Sequence, residues 1–139
     1  KSAMRASNPW LDRAGAVVSG VCAVHCAGLG LVFLLYPGLW LRRQRWPVDL
    51  QWLLYLEWAL AGVALLLAVL AFAHGWSRHR RILPAALGLP GLGLLATGIF
   101  TDLHWQPPLG SAVVLCGGLL LASAHLLNLR LARRAVRAT

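Results

Sequence analysis

Residues 14–36 run without one formally charged side chain, and three later runs, 50–73, 82–101 and 109–129, repeat the pattern with a single exception at Glu57. A helix of about 20 apolar residues crosses the hydrocarbon core of a bilayer. Four such runs use nearly all of the 139 residues. No room is left for a soluble catalytic domain. Composition agrees: 12% of the residues are charged and 59% hydrophobic, where a soluble domain is about a quarter charged. The chain reads as an all-α integral membrane protein.

The connections are short, at residues 37–49, 74–81 and 102–108. Consecutive helices joined this way pack antiparallel, so the expected architecture is an antiparallel four-transmembrane-helix bundle. The third run contains Pro84, Pro90 and several glycines. It is expected to span with a kink and to pack closely, so that its neighbours satisfy the freed backbone groups. The chain divides into an N-terminal segment at 1–13, the bundle at 14–131 and a basic tail at 132–139.

Thirteen Lys and Arg against four Asp and Glu give a formal charge of +9. In a soluble chain that excess would suggest nucleic acid. Here the positive charge lies between the apolar runs. With both termini on one side, that side collects Lys1, Arg5, Arg13, Arg78, Arg80, Arg81, Arg130, Arg133, Arg134 and Arg137, leaving Arg42, Arg43 and Arg45 opposite. Ten against three predicts cytoplasmic N and C termini by the positive-inside rule. Tryptophan follows the same boundaries: Trp40, Trp46, Trp52 and Trp105 fall at the outer one and Trp10 and Trp76 at the inner, as interfacial indoles do. The first run is too long for the core of a secretory signal. A bacterial inner membrane is the expected location, with the lipid bilayer rather than nucleic acid as partner.

The sharpest chemical feature is Cys22-Ala23-Val24-His25-Cys26 in the first span. Positions i, i+3 and i+4 share a helix face, so two thiols and an imidazole are expected within about 100° of arc. Such donors suit d¹⁰ cations, Zn(II), Cu(I) and Hg(II). The plainer alternative is helix packing, because Gly15, Ser19, Cys22, Cys26 and Gly30 form a small-residue stripe. Against it, an ionisable side chain in mid-bilayer points to function. Cys116 reads as packing.

Glu57 lies ~10 Å below the outer end of the second span and Cys26 ~14 Å below that of the first, at 1.5 Å per residue. They should sit at comparable heights. His125 comes further in, then His74 and His79, while Asp102 and His104 stand at the outer mouth. From outside to inside this is a ladder of cation donors. Each rung also has a structural alternative: a hydrogen-bonded core carboxyl for Glu57, an interhelical clamp of His125 with Asn128, and solvated turns for Asp102, His104, His74 and His79.

Asp12 before the first span, Cys22-x-x-His25-Cys26, Glu57, and Ala124-His125-Leu126-Leu127-Asn128-Leu129-Arg130 closing the fourth span together resemble the MerC domain family. The resemblance covers about residues 12–131. It implies a four-span inner-membrane protein importing Hg(II) toward the cytoplasm, with Cys22 and Cys26 as the ion-accepting thiols. Mercury transporters of this type carry adjacent cysteines. The spaced pair here, with His25 between, is closer to a mixed zinc- or copper-like ligand set.

The leading expectation is therefore a non-enzymatic metal-ion permease or metal-binding membrane protein, with Cys22, His25, Cys26, Glu57 and His125 as metal residues. Asp102, His104, His74 and His79 would stand at its mouths. A homodimer with the site near its interface, or a periplasmic delivery partner, is compatible with so small a bundle. Two other readings remain: an accessory subunit docking through the Gly-rich third helix, and a haem protein using His25, His104 or His125 as axial ligands.

Overall fold

The structure, a computed structural model, describes residues 9–42, 48–79, 81–106 and 108–137. Helix α1 spans Pro9–Leu35, a short α2 spans Pro37–Leu41, α3 spans Val48–His79, α4 spans Leu83–Phe100 and α5 spans Leu109–Arg137, with a 3₁₀ turn at Asp102–Trp105 before α5. No strand occurs among the described residues. Four of these helices are long and apolar enough to cross a membrane. The all-α four-span bundle is what the apolar runs imply.

Three helices overrun the apolar stretches that mark them. Helix α1 starts at Pro9, where a proline suits the first turn because its missing N–H has no intrahelical partner. Asp12 in that turn lies near the positive end of the helix dipole. Helices α3 and α5 continue to His79 and Arg137. Hydrophobicity marks where a helix is in lipid, whereas its length is set by backbone hydrogen bonding. Helix α4 runs through Pro90 as one element; Thr97 Oγ1 donates to the Gly93 and Leu94 carbonyls at 2.8 and 3.2 Å along its second half.

Helix α5 is the axis of the bundle, packing along both α1 and α4. Helix α3 packs on α1 and more lightly on α4 and α5, and among the described residues α1 and α4 do not meet. The contacts are made by small side chains. Helix α1 buries Asp12, Gly15, Ser19, Cys22, Ala23, Cys26 and Gly30; α3 answers with Ala61, Ala64, Ala68 and Ala71. Small residues let helix backbones approach where lipid removes the hydrophobic drive for association. Large apolar residues such as Val17, Val24, Leu66, Leu89 and Leu119 point outward, as a lipid-facing surface requires.

The adjacent glycines of α5 show how closely this is done. A Cβ at Gly117 would stand 2.7 Å from Leu95 N on α4, and one at Gly118 would stand 2.9 Å from Ala23 Cβ on α1. One helix thus meets two partners at a single level. Trp10, Trp52, Trp58 and Trp76 are exposed, and Trp58 meets Phe100 edge-on with ring centroids 6.3 Å apart. The side chains of Trp40, Trp46 and Trp105 lie outside the described residues, as do Lys1, Arg5, Arg43, Arg45 and Arg80 and the side chains of Arg78 and Arg137.

Candidate metal site and the polar cluster beneath it

Helical periodicity decides which members of the Cys-x-x-His-Cys element face the bundle. At about 100° per residue Cys22 and Cys26 are only ~40° apart, whereas His25 lies ~60° beyond Cys22 on the far side. The buried stripe of α1 runs from Cys22 through Cys26 to Ala23, on the side of Cys22 away from His25. Cys22 and Cys26 are at 0% and 1% exposure, one helical turn apart on the buried stripe. His25 is half-buried and lines an open groove on the outward side of α1 with Ala16, Val17, Gly20, Val21 and Val24. In this arrangement the imidazole stands apart from the two thiols, with its Nε2 buried and without a hydrogen bond.

A carboxyl group takes its place. Glu57 on α3 is 4% exposed, and Cys26 Sγ donates a hydrogen bond to its Oε1 at 3.1 Å. The apolar floor consists of Ala61, Ala64, Leu95, Ile99, Val114 and Leu121. Among the described residues, no group of three His, Cys, Asp or Glu side chains is arranged to enclose a metal ion. The mixed three-ligand set expected for zinc or copper is therefore not assembled. A thiol pair with a carboxylate on one sulfur is what the site offers.

Toward the end of the bundle that carries the termini lies a second buried polar cluster. Asp12, 7% exposed, accepts from Asn128 Nδ2 through Oδ1 at 2.9 Å and Oδ2 at 3.0 Å. Asn128 Nδ2 also reaches the Ala71 carbonyl at 3.3 Å, so α1, α3 and α5 are tied at one point. His125, fully buried, places Nδ1 3.4 Å from Asp12 Oδ1. Its ring stacks on Phe72 with centroids 5.3 Å apart and planes 26° apart. The His125–Asn128 pair was legible as a clamp from its spacing of one turn, but its anchor was not. Asp12 stands at the edge of the first apolar run, where a sequence reader places the start of solvent. The available signal was that an acidic residue follows Pro9 by three positions, inside a first helical turn.

The remaining expected residues are dispersed. His74 on α3 is half-buried, and its carbonyl accepts from Ser77 Oγ at 2.8 Å. Asp102 is exposed in the 3₁₀ turn. The side chains of His79 and His104 lie outside the described residues. Cys116, expected to pack, is exposed.

A family model described as MerC mercury resistance protein matches residues 12–130. No curated protein and no solved structure matches the chain.

Proposed function

The chain belongs to the MerC family, and from that premise we propose that it carries Hg(II) across a bacterial inner membrane, taking the ion onto Cys22 and Cys26. One observation supports this reading above the rest: two fully buried thiols one helical turn apart, the second hydrogen-bonded to Glu57. Hg(II) is a soft d¹⁰ cation satisfied by two thiolates. Zn(II) asks for four ligands in a structural site, or three and a water in a catalytic one. A site with two sulfurs and one carboxylate oxygen suits the softer ion better.

Glu57 has a defined part in capture. Thiolates rather than thiols bind metal, so binding releases protons. The Cys26 proton already points at Glu57 Oε1. As the two S–Hg bonds form, the Cys26 proton passes to the carboxylate and the Cys22 proton leaves with a chloride or hydroxide that the incoming ion sheds; no electrons change hands between metal and protein. The ten-to-three distribution of basic residues supports cytoplasmic termini, which makes passage from Glu57 toward Asp12 an inward movement.

Titration of the purified protein with Hg(II), followed by thiolate-to-metal absorbance in the near ultraviolet, tests the reading. In a Cys116→Ser background, which removes the exposed thiol, the protein takes up one ion on the pair. Cys22→Ser with Cys26→Ser loses that absorbance entirely, and an unchanged signal in the double variant would sink the proposal. Glu57→Gln keeps the stoichiometry but captures the ion on the order of a hundredfold more slowly, the low end of what a positioned base contributes.

A further inference from the structure

His125 carries a feature that packing leaves unexplained. The residue has no solvent exposure, its Nδ1 faces Asp12, and its Nε2 makes no hydrogen bond. Ser19 Oγ, equally buried, has no partner either. Buried polar atoms are nearly always hydrogen-bonded; the unpaired buried atoms among the described residues also include His25 Nε2 and His74 Nε2, but those of His125 and Ser19 belong to fully buried side chains and call for an occupant.

Their placement follows α1. A Cβ on Gly15 would lie 2.4 Å from His125 Nε2, so the edge of the imidazole rests on the α1 backbone at that residue. Ser19 is one turn further along the same buried stripe, and Cys22 lies just beyond. At 1.5 Å per residue the level of His125 is ~10 Å from that of Cys22. The two orphaned atoms therefore belong to the stretch of α1 between the thiols and the end carrying the termini.

The chemistry of the imidazole is set by its neighbours. With Asp12 ionised and the imidazole in its neutral form, the ring nitrogen facing Asp12 carries the proton and the other presents a lone pair. Metal-binding histidines are held in this way, with the second nitrogen donating to a carboxylate that fixes tautomer and orientation. Asn128 in turn holds both oxygens of Asp12, and Phe72 fixes the ring plane. The arrangement is preorganised around Nε2.

We propose that His125 Nε2, assisted by Ser19 Oγ and positioned by Asp12 and Asn128, is a second binding station for the cation that the thiols capture. It rests on the reading that Cys22 and Cys26 take up Hg(II), and it adds the next ligand on the path. Binding there is redox-neutral: the cation accepts the Nε2 lone pair, and the Nδ1 proton stays in place against Asp12. One nitrogen and one hydroxyl make a weaker site than two thiolates, which is what a station for onward release requires.

The test uses full-length protein in lipid nanodiscs, with ¹⁵N-labelled histidine and Cys116→Ser to remove the exposed thiol. The probe is Hg(II) alone. Before any metal is added, the His125 resonances should report a protonated Nδ1 and an unprotonated Nε2, and Asp12→Asn should mix the two tautomers, which loss of packing alone would not do. The first equivalent of Hg(II) raises the thiolate absorbance and leaves His125 unmoved. Further Hg(II) shifts the His125 Nε2 resonance, with affinity reduced about tenfold or more in Asp12→Asn, as for other supports of metal-binding histidines. Single His→Gln variants at positions 25, 74, 79 and 104 assign the signal by elimination, so the result does not depend on folding of His125→Gln. Thiolate absorbance without any movement of His125 Nε2 overturns the second station alone. Absence of that absorbance refutes capture by the thiols, independently of what His125 does.

Discussion

Gly15 is the residue on which the polar cluster closes. A Cβ there would stand 2.3 Å from His125 Cε1 and 2.6 Å from Nδ1, so the ring or the helix must move to admit one. Gly15→Ala should destabilise the bundle by about 1–3 kcal/mol, the usual cost of overpacking. Gly20→Ala is the matched control, because a Cβ there meets nothing within 4 Å. It should be neutral or should stabilise by up to about 1 kcal/mol through helix propensity. Reversible unfolding in mixed micelles measures both, and equal effects at the two positions would contradict the packing described. At this scale the sequence yields residue types and heights more readily than directions. Cys26 and Glu57 are legible as neighbours because two depths along two helices coincide. His25 misleads because a three-residue spacing joins a buried face only when the arc extends to that side, and the side of Cys22 on which α1 is buried is set by its neighbours, which no local pattern discloses.

Among the helices, α5 holds α4 by one glycine and α1 by the next, and the two contacts can be separated. Gly117→Ala presses on the backbone of α4, where the nearest atom, Leu95 N, cannot turn aside. That helix contributes none of the proposed cation-binding side chains. The variant should lose about 1–3 kcal/mol of stability while binding Hg(II) with wild-type affinity. Gly118→Ala presses instead on Ala23 and the Ser19 carbonyl at 3.1 Å, beside Cys22. It should weaken Hg(II) binding as well, and titration of the two variants side by side distinguishes the outcomes. Element boundaries illustrate what apolar runs can and cannot disclose. They locate four spans because hydrocarbon demands continuous hydrophobicity. They miss residues 9–13 and the ends of α3 and α5, where the helix leaves lipid without unwinding. They also pass over α2, whose five residues make too short a pattern to detect.

For the molecule as a whole, the antiparallel pairing of α1 with α5 sets both termini at one end, and the ten-to-three distribution of basic residues leads us to propose that this end faces the cytoplasm. A fluorescent protein fused after Thr139 should therefore fluoresce in the bacterial cytoplasm, and a phosphatase active only in the periplasm should be inactive in the same place. The opposite pair of results would reverse the proposed direction of travel. The overall charge pattern is the most legible property of this chain, since it depends only on which side of each span a residue falls and not on any packing. The exposed sulfur of Cys116 bears on how mercury handling by such a bundle is observed. Uncharged mercuric dichloride dissolves in hydrocarbon and crosses membranes unaided, so a thiol on the outer surface of α5 meets this neutral species directly from the lipid. Sulfur titrations of the native chain would sum two populations, one sheltered and one bathed in membrane-dissolved reagent, and their kinetics would reflect partitioning as much as passage through the protein.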